Sequence, residues 1–434
     1  HQALAQKIEG LVIDSATGEV LEGVNIYDPG RETGTVTDSE GKFKLKNVDA
    51  ATLYRFSFIG YETKEYTPAE LEKLNFLVKL RQTPENLSGI ELKVQKLHKK
   101  LPYVKLQDLP KAIYSFAHVR LGNKLFITGG SETQEVDQAL KLMEEYASVG
   151  FDEFLNALKR NPGMDWPEFN SQIFGYDLDN NQWETAPVKT IERTHHNAEA
   201  VDGKIYIFGG KTLSLNQRKE ILPNEIEVFD PATGELLVDE TNPHHAVNFA
   251  SFTTDSLLFV AGGSTRKYRT TGRKDYSNQV HVYNPKTGYW KELGSMPEGK
   301  ETTAIRVGEV VYFIGGYQEE PLDFVEQLDL KTGKWKRLGQ LPSPIERPSL
   351  TAKNNVIYIF GEERIVAFNI VDGSLKEYKV DFDEVMPQMT VYGDNLYIFG
   401  GFILSNFELS PSANFYKISL SDFDKTEVNR EKSL

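Results

Sequence analysis

Six residues stand fourteen positions ahead of six glycines that close short apolar runs: Ser115, His195, Asn248, Glu301, Arg347 and Met386. Two positions further on come Ala117, Asn197, Ala250, Thr303, Ser349 and Gln388. A carboxylate, an imidazole, a guanidinium and an amide at one repeated index can hold a polyhydroxylated or acidic small molecule. Glu301 and His195 would form a general acid/base pair, with Arg347 gripping a carboxylate. The predicted ligand set is therefore His195, Asn197, Asn248, Glu301, Arg347 and Gln388, with His195 and Glu301 as the catalytic candidates. A plainer reading stays open, in which these polar groups only satisfy loop backbone and water.

The residues between the two sets (Phe116, His196, Phe249, Thr302, Pro348, Pro387) are more apolar and suit contacts between neighbouring sheets. His195-His196 and His244-His245 invite a zinc reading. Zinc needs three or four converging ligands, and the second pair indexes earlier on its loop, so neither metal nor cofactor is expected. Residues 265–276, TRKYRTTGRKDY, carry five Lys/Arg and two Tyr. Such a run is ordinarily a solvated loop, or else a surface for an anionic partner.

The elements that must position these groups recur. KLFITGG (124–130), KIYIFGG (204–210), LLFVAGG (257–263), VYFIGG (311–316), VIYIFGE (356–362) and NLYIFGG (395–401) alternate aliphatic and aromatic residues, as strands do. The paired glycines imply positive φ or backbone packed too closely for a Cβ. The last four intervals between first glycines are 53, 53, 46 and 39 residues. Such periods mark an array of four-stranded sheets, and six of them close economically into a ring.

Each unit continues into a turn and then, in most, a Trp: FGYDLDNNQW (174–183), IEVFDPATGEL (226–236), VHVYNPKTGYW (280–290) and FVEQLDLKTGKW (324–335). Double glycine, Tyr/Phe-Asp/Asn-x-x-Thr-Gly turn and Trp together resemble the kelch repeat, from about residue 103 to the C-terminus. The departures are Glu362 for a second glycine and Leu236 and Leu375 for Trp. The resemblance implies an all-β, six-bladed propeller over residues 101–434, with ligands entering at the mouth of its central channel.

The first interval is 80 residues, and about 40 of them, 131–170, form an insertion in blade one. EVDQALKLMEEY and DEFLNALKR space apolar residues at helical intervals, so two short helices are predicted, as a cap or a lid. YVKLQDLP (103–110) matches the phase of YWKELGSMP (289–297) and reads as an outer strand lacking its own blade. We expect it to complete the last blade, with KTEV (425–428) as competitor for that place.

The 434 residues leave room for a second domain. A net charge of −14 argues against nucleic acid as a partner, and no apolar run is long enough for a transmembrane helix. Cysteine is absent, which excludes disulfides and thiolate chemistry. Residues 1–5 end in Ala3-Leu4-Ala5, which looks like the small-x-small end of a secretory signal. Residues 6–82 alternate short strands with TGE, DPG and DSEG turns, implying an antiparallel β-sandwich. Their order, G-x-V-x-D-x-x-T-G-E-x-L-x-G-V-x-I, then G-T-x-T-D-x-x-G-x-F-x-L, then S-F-I-G-Y, resembles the carboxypeptidase regulatory-like domain. In Bacteroidetes that domain heads many exported and outer-membrane proteins, which implies a secreted or periplasmic chain associated with the envelope. Residues 83–100 read as a linker.

Two functions follow. One is an exported binding protein, holding a carbohydrate or protein partner at the propeller mouth. The other is a sugar-active epimerase or mutarotase like the kelch sialic-acid epimerases. Copper radical oxidases of the galactose oxidase type also use kelch blades, but their cofactor needs a cysteine.

Overall fold

A computed structural model describes residues 6–29, 33–48, 52–83, 97–145, 151–160, 167–216, 219–254, 256–268 and 270–434. The expected signal remnant at 1–5 and most of the expected linker lie outside the described residues. The chain divides into two units, one within the first 96 residues and the other from residue 97 on.

In the first unit, alternation buries one face of each strand. Gln6–Asp14 pairs with Lys42–Val48 and Leu77–Leu80, while Asn25–Asp28 lies between Thr33–Val36 and Tyr54–Ser57, which pairs with Lys64–Tyr66. Val12, Val24, Ile26, Phe43, Phe56, Leu71 and Val78 make the core. The sandwich departs from the antiparallel expectation in one pair, where Leu11–Asp14 runs parallel to Leu77–Leu80. A capped helix, Pro68–Lys73, makes this crossover possible by reversing the chain before the last strand. Thr67 and Glu70 form its capping box.

The second unit holds six antiparallel sheets whose innermost strands are Ala117–Leu121, Asn197–Val201, Ala250–Thr254, Glu301–Val307, Ser349–Lys353 and Gln388–Tyr392. Residues at the start of all six line one axial cavity. His118 Nε2 in blade one lies 3.1 Å from the Met389 carbonyl in blade six, so the first and last blades meet. Val104–Lys105 pairs with Phe415–Ser419 as the outer strand of blade six, Lys105 opposite Tyr416. The competitor does not take that place: a 3-10 helix spans Leu420–Lys425, and Arg430–Ser433 adds a fifth strand to blade five.

The glycine landmarks have a steric cause. Gly209 has φ +67°, and a Cβ there would sit 2.4 Å from the Phe249 ring of the next blade. Gly210, at φ +77°, lies against the Thr194 carbonyl and His196 of its own blade. Where glycine is missing, Glu362 takes φ +49°. The turn residues act locally: Asp177, Asp230, Asn284, Asp329 and Asn369 each accept the backbone N–H two positions on, at 2.9 to 3.0 Å. Trp183 packs on Tyr176 at 4.7 Å and on Phe415 of blade six at 5.9 Å, so its ring fills a gap between blades. Leu375 occupies the equivalent space in blade five and is fully buried.

The insertion contains the two predicted helices, Gln138–Glu145 and Phe151–Arg160. Its two ends are held together, because Ser131 bridges both Tyr114 and Phe169. Glu135–Val136 joins a small sheet with Glu408–Pro411, Phe402–Leu404 and Glu384–Val385, loops of blade six on the mouth side. None of the described insertion residues lines the axial cavity.

Candidate functional site

Register decides which side chains reach the axis. Ala117, Asn197, Ala250, Thr303, Ser349 and Gln388 each pair with the residue just before the first glycine of their blade. The equal spacing assumed in the sequence therefore holds in all six blades for this set. Asn197 and Gln388 both line the cavity, whose volume is about 250 Å³.

The set two positions earlier behaves differently. Ser115, His195, Asn248 and Met386 have φ between +51° and +58°, so they lie in tight bends before the strands. Their peptide groups tie blade to blade: His195 N–H donates to Ser115 O at 2.8 Å, Asn248 N–H to His195 O at 3.3 Å, and Thr302 N–H to Asn248 O at 3.2 Å. Left-handed backbone costs a non-glycine residue about 1 kcal/mol, and these inter-blade bonds offset it. His195, Asn248 and Arg347 line the cavity mouth.

Glu301 does not join them. It opens its strand instead of preceding it, opposite Tyr317 with a bulge behind, and is fully buried. Oε1 accepts from Ser264 Oγ at 2.7 Å and Lys274 Nζ at 2.8 Å, and Oε2 accepts from Asn248 Nδ2 at 3.0 Å. The carboxylate anchors a hairpin and an amide of the mouth and does not line the cavity, so it does not join His195 there as the proposed acid/base pair. This corrects the strand-phase expectation: bends in blades one, two, three and six and a strand start in blade four break the rule that alternate residues share a face.

His195 is held neutral. Burial depresses its pKa well below the usual imidazole range, and the cations Arg347, Lys211 and Lys274 add to the effect. Thr194 Oγ1 gives its proton to Ser115 O at 3.0 Å, so the 3.2 Å contact with His195 needs Nδ1 as donor. Nε2 then carries the lone pair. Arg347 Nη1 donates to Ser115 Oγ at 3.3 Å, its nearest carboxylate is Glu346 at 3.5 Å, and its buried Nε has no hydrogen-bond partner. Gln388 Oε1 accepts from Ser349 Oγ at 3.4 Å. The mouth thus presents amides, a guanidinium with the Glu346 carboxylate beside it, and a neutral imidazole.

Deeper in the channel lie groups that the index missed. Asn197 Nδ2 donates to Phe249 O at 2.9 Å and Ser251 Oγ at 3.0 Å, and Ser251 Oγ donates to Glu199 Oε1 at 2.7 Å. Glu199 is pushed up to about 7 by burial, with Ser251 opposing the shift. It lies two residues beyond Asn197 on the same strand, so continuing the alternation one more step would have found it.

The histidine pairs form no metal site, and no group of three or more possible ligands occurs among the described residues. His196 is buried, with Nε2 3.1 Å from Thr128 Oγ1. His244 Nε2 donates to Gly262 O at 2.8 Å, and its Nδ1 meets His281 Nδ1 at 3.0 Å. Blades two and four place ion pairs at the register His281 occupies, Arg193–Glu227 at 2.7 Å and Lys300–Glu326. In the basic hairpin, Arg266 and Arg273 flank the Tyr268 ring at 4.5 and 4.8 Å.

Comparison with known proteins agrees with this architecture. Residues 163–361 match the KLHDC2/KLHL20/DRC7 Kelch-repeats domain, and residues 8–91 match the CarboxypepD_reg-like domain. The chain is similar to beta-scruin of Limulus polyphemus, 26% identical over 127 residues, which is 29% of this chain and 13% of that protein. It is also similar to Kelch-like protein 15 of Homo sapiens, 25% identical over 157 residues, or 32% of this chain and 25% of the relative. The matches therefore span a quarter or less of these relatives. The solved structure of YjhT aligns with a TM-score of 0.51 at 14% identity, covering 71% of this chain and 95% of that one, a likeness of fold. The chain carries a kelch-repeat region and a carboxypeptidase regulatory-like domain.

Proposed function

We propose that this protein is a binding module without catalysis, whose kelch ring holds a protein or carbohydrate partner at the axial mouth. The commitment of Glu301 carries this reading. Its two oxygens accept three hydrogen bonds behind the mouth, so the carboxylate predicted to exchange protons with His195 is committed to Ser264, Lys274 and Asn248 instead. Amides and a guanidinium hold hydroxyls, carbonyls and carboxylates without changing them. Export and attachment to the cell envelope belong to the same proposal, and the match of residues 8–91 supports them.

Photo-crosslinking in producing cells tests the reading. A benzophenone amino acid at Gln388, in the mouth, should capture a discrete partner, and the adduct should vanish in Arg347→Ala. The same probe at Thr332, in a turn at the opposite end of blade four, should capture nothing. Equal capture at both positions would remove the mouth from the proposal. Accelerated anomeric exchange of a sugar by the protein, lost in His195→Ala, would replace it with the epimerase reading.

A further inference from the structure

The axial cavity does not end at its mouth. A second cavity of about 520 Å³ is lined by Thr253, Ile305, Arg306 and Gly308, at the far ends of the innermost strands. The two cavities share Glu199, Ser251 and Ala304, so the Glu199 carboxyl stands where they meet. Its partial exposure is to this channel. One oxygen is bound by Ser251, and no second hydrogen bond reaches the carboxyl from any described residue.

The charge around it is unbalanced. The other titratable or charged groups lining the two cavities are His118, His195, His196, Glu346, Arg347 and Arg306. His118, His195 and His196 are kept neutral by burial. Arg347 is turned to Ser115 and Glu346. Arg306 is spent on the Gly308 and Thr253 carbonyls, with Glu309 3.8 Å away. Among the described residues no cation serves Glu199, and a buried carboxylate without one is costly.

We infer that the neck of this channel is a site for a primary ammonium group of the bound partner, with Glu199 as its counter-ion. Ser251 and Asn197 hold the carboxyl in place through the relay already described, leaving Oε2 for the incoming N–H donors. The shared chemistry is the ammonium, whether of a lysine side chain or of an amino sugar. The inference rests on the binding reading above and gives that partner a charge. Because the free carboxyl titrates near neutrality, a cation that requires the carboxylate should bind more tightly as pH rises.

The test uses the whole protein and methylammonium chloride in thermal-shift titrations, against sodium chloride at matched ionic strength. Methylammonium should stabilise the wild type beyond sodium, with apparent affinity rising about tenfold from pH 6 to pH 8. Glu199→Gln keeps an acceptor for Ser251 and should lose both the preference and the pH dependence. Equal stabilisation by sodium and methylammonium, or an unchanged response in Glu199→Gln, would overturn the inference. With the site established, Nα-acetyl-lysine methylamide outcompeting glucosamine would identify a peptide source, and the reverse order an amino sugar. Mouth crosslinking that persists while methylammonium fails would remove the ammonium site alone.

Discussion

The Nδ1 atoms of His244 and His281 lie 3.0 Å apart inside blade three, in the place that neighbouring blades fill with ion pairs. Since His244 Nε2 donates to Gly262 O, its Nδ1 must accept, and His281 supplies the proton. Only a neutral His244 fits. Burial lowers His244 to about 4. The unfolded chain therefore binds the proton first, and stability falls as pH drops from about 6.5 towards 4. At pH 5 this residue alone accounts for a loss of about 2 kcal/mol. Urea midpoints measured from pH 7.5 to pH 5 should fall, and His244→Phe should flatten part of that slope.

Glu301→Gln separates anchoring from chemistry. The amide cannot form the ion pair with Lys274, and its Nε2 would face the donor Asn248 Nδ2. Unfolding free energy should drop by about 1 to 3 kcal/mol, read from denaturant midpoints. An unchanged midpoint would contradict the anchoring role.

Two glycines with similar backbone angles should respond unequally to alanine. Gly203, φ +81°, has open space where a Cβ would project, whereas Gly209, φ +67°, meets the Phe249 ring. Gly203→Ala should cost about 1 to 2 kcal/mol for the left-handed backbone alone. Gly209→Ala should cost roughly 1 to 3 kcal/mol more through overpacking against blade three. Paired melting curves would measure the difference.

Deleting residues 101–110 removes the outer strand of blade six together with the buried Leu101 and Leu109. Each leucine contributes about 2 to 5 kcal/mol, so Tm should fall by about 5 to 15 °C. A deletion that melts like the intact protein would show that the ring does not depend on this strand.

The second polar set was readable because glycine fixes register independently in every blade, and strand pairing carries that register to Asn197 and Gln388. Paired glycines, Asx turns and Trp183 were equally plain, since each solves a local steric or hydrogen-bonding problem. The first set was not readable in the same way. Ser115, His195, Asn248 and Met386 turn through left-handed bends, a backbone state that their side chains do not announce, while Glu301 begins a strand. Its hydrogen bonds to Ser264, Lys274 and Asn248 are tertiary, from residues 27 to 53 positions away. The parallel pairing of Gln6–Asp14 with Leu77–Leu80 was hidden for a similar reason, because it depends on where the short helix sends the chain.

The pairing of Lys105 with Tyr416 also has a consequence for biosynthesis. A ribosome finishes the Val104–Lys105 strand before any blade exists, and its partner Phe415–Ser419 appears only after the first five blades have been made. Until then Leu101 and Leu109, buried in the finished molecule, have no place to go. The nascent propeller must keep this segment unclaimed while five blades form, and a slow or stalled ribosome would prolong its exposure to chaperones and proteases.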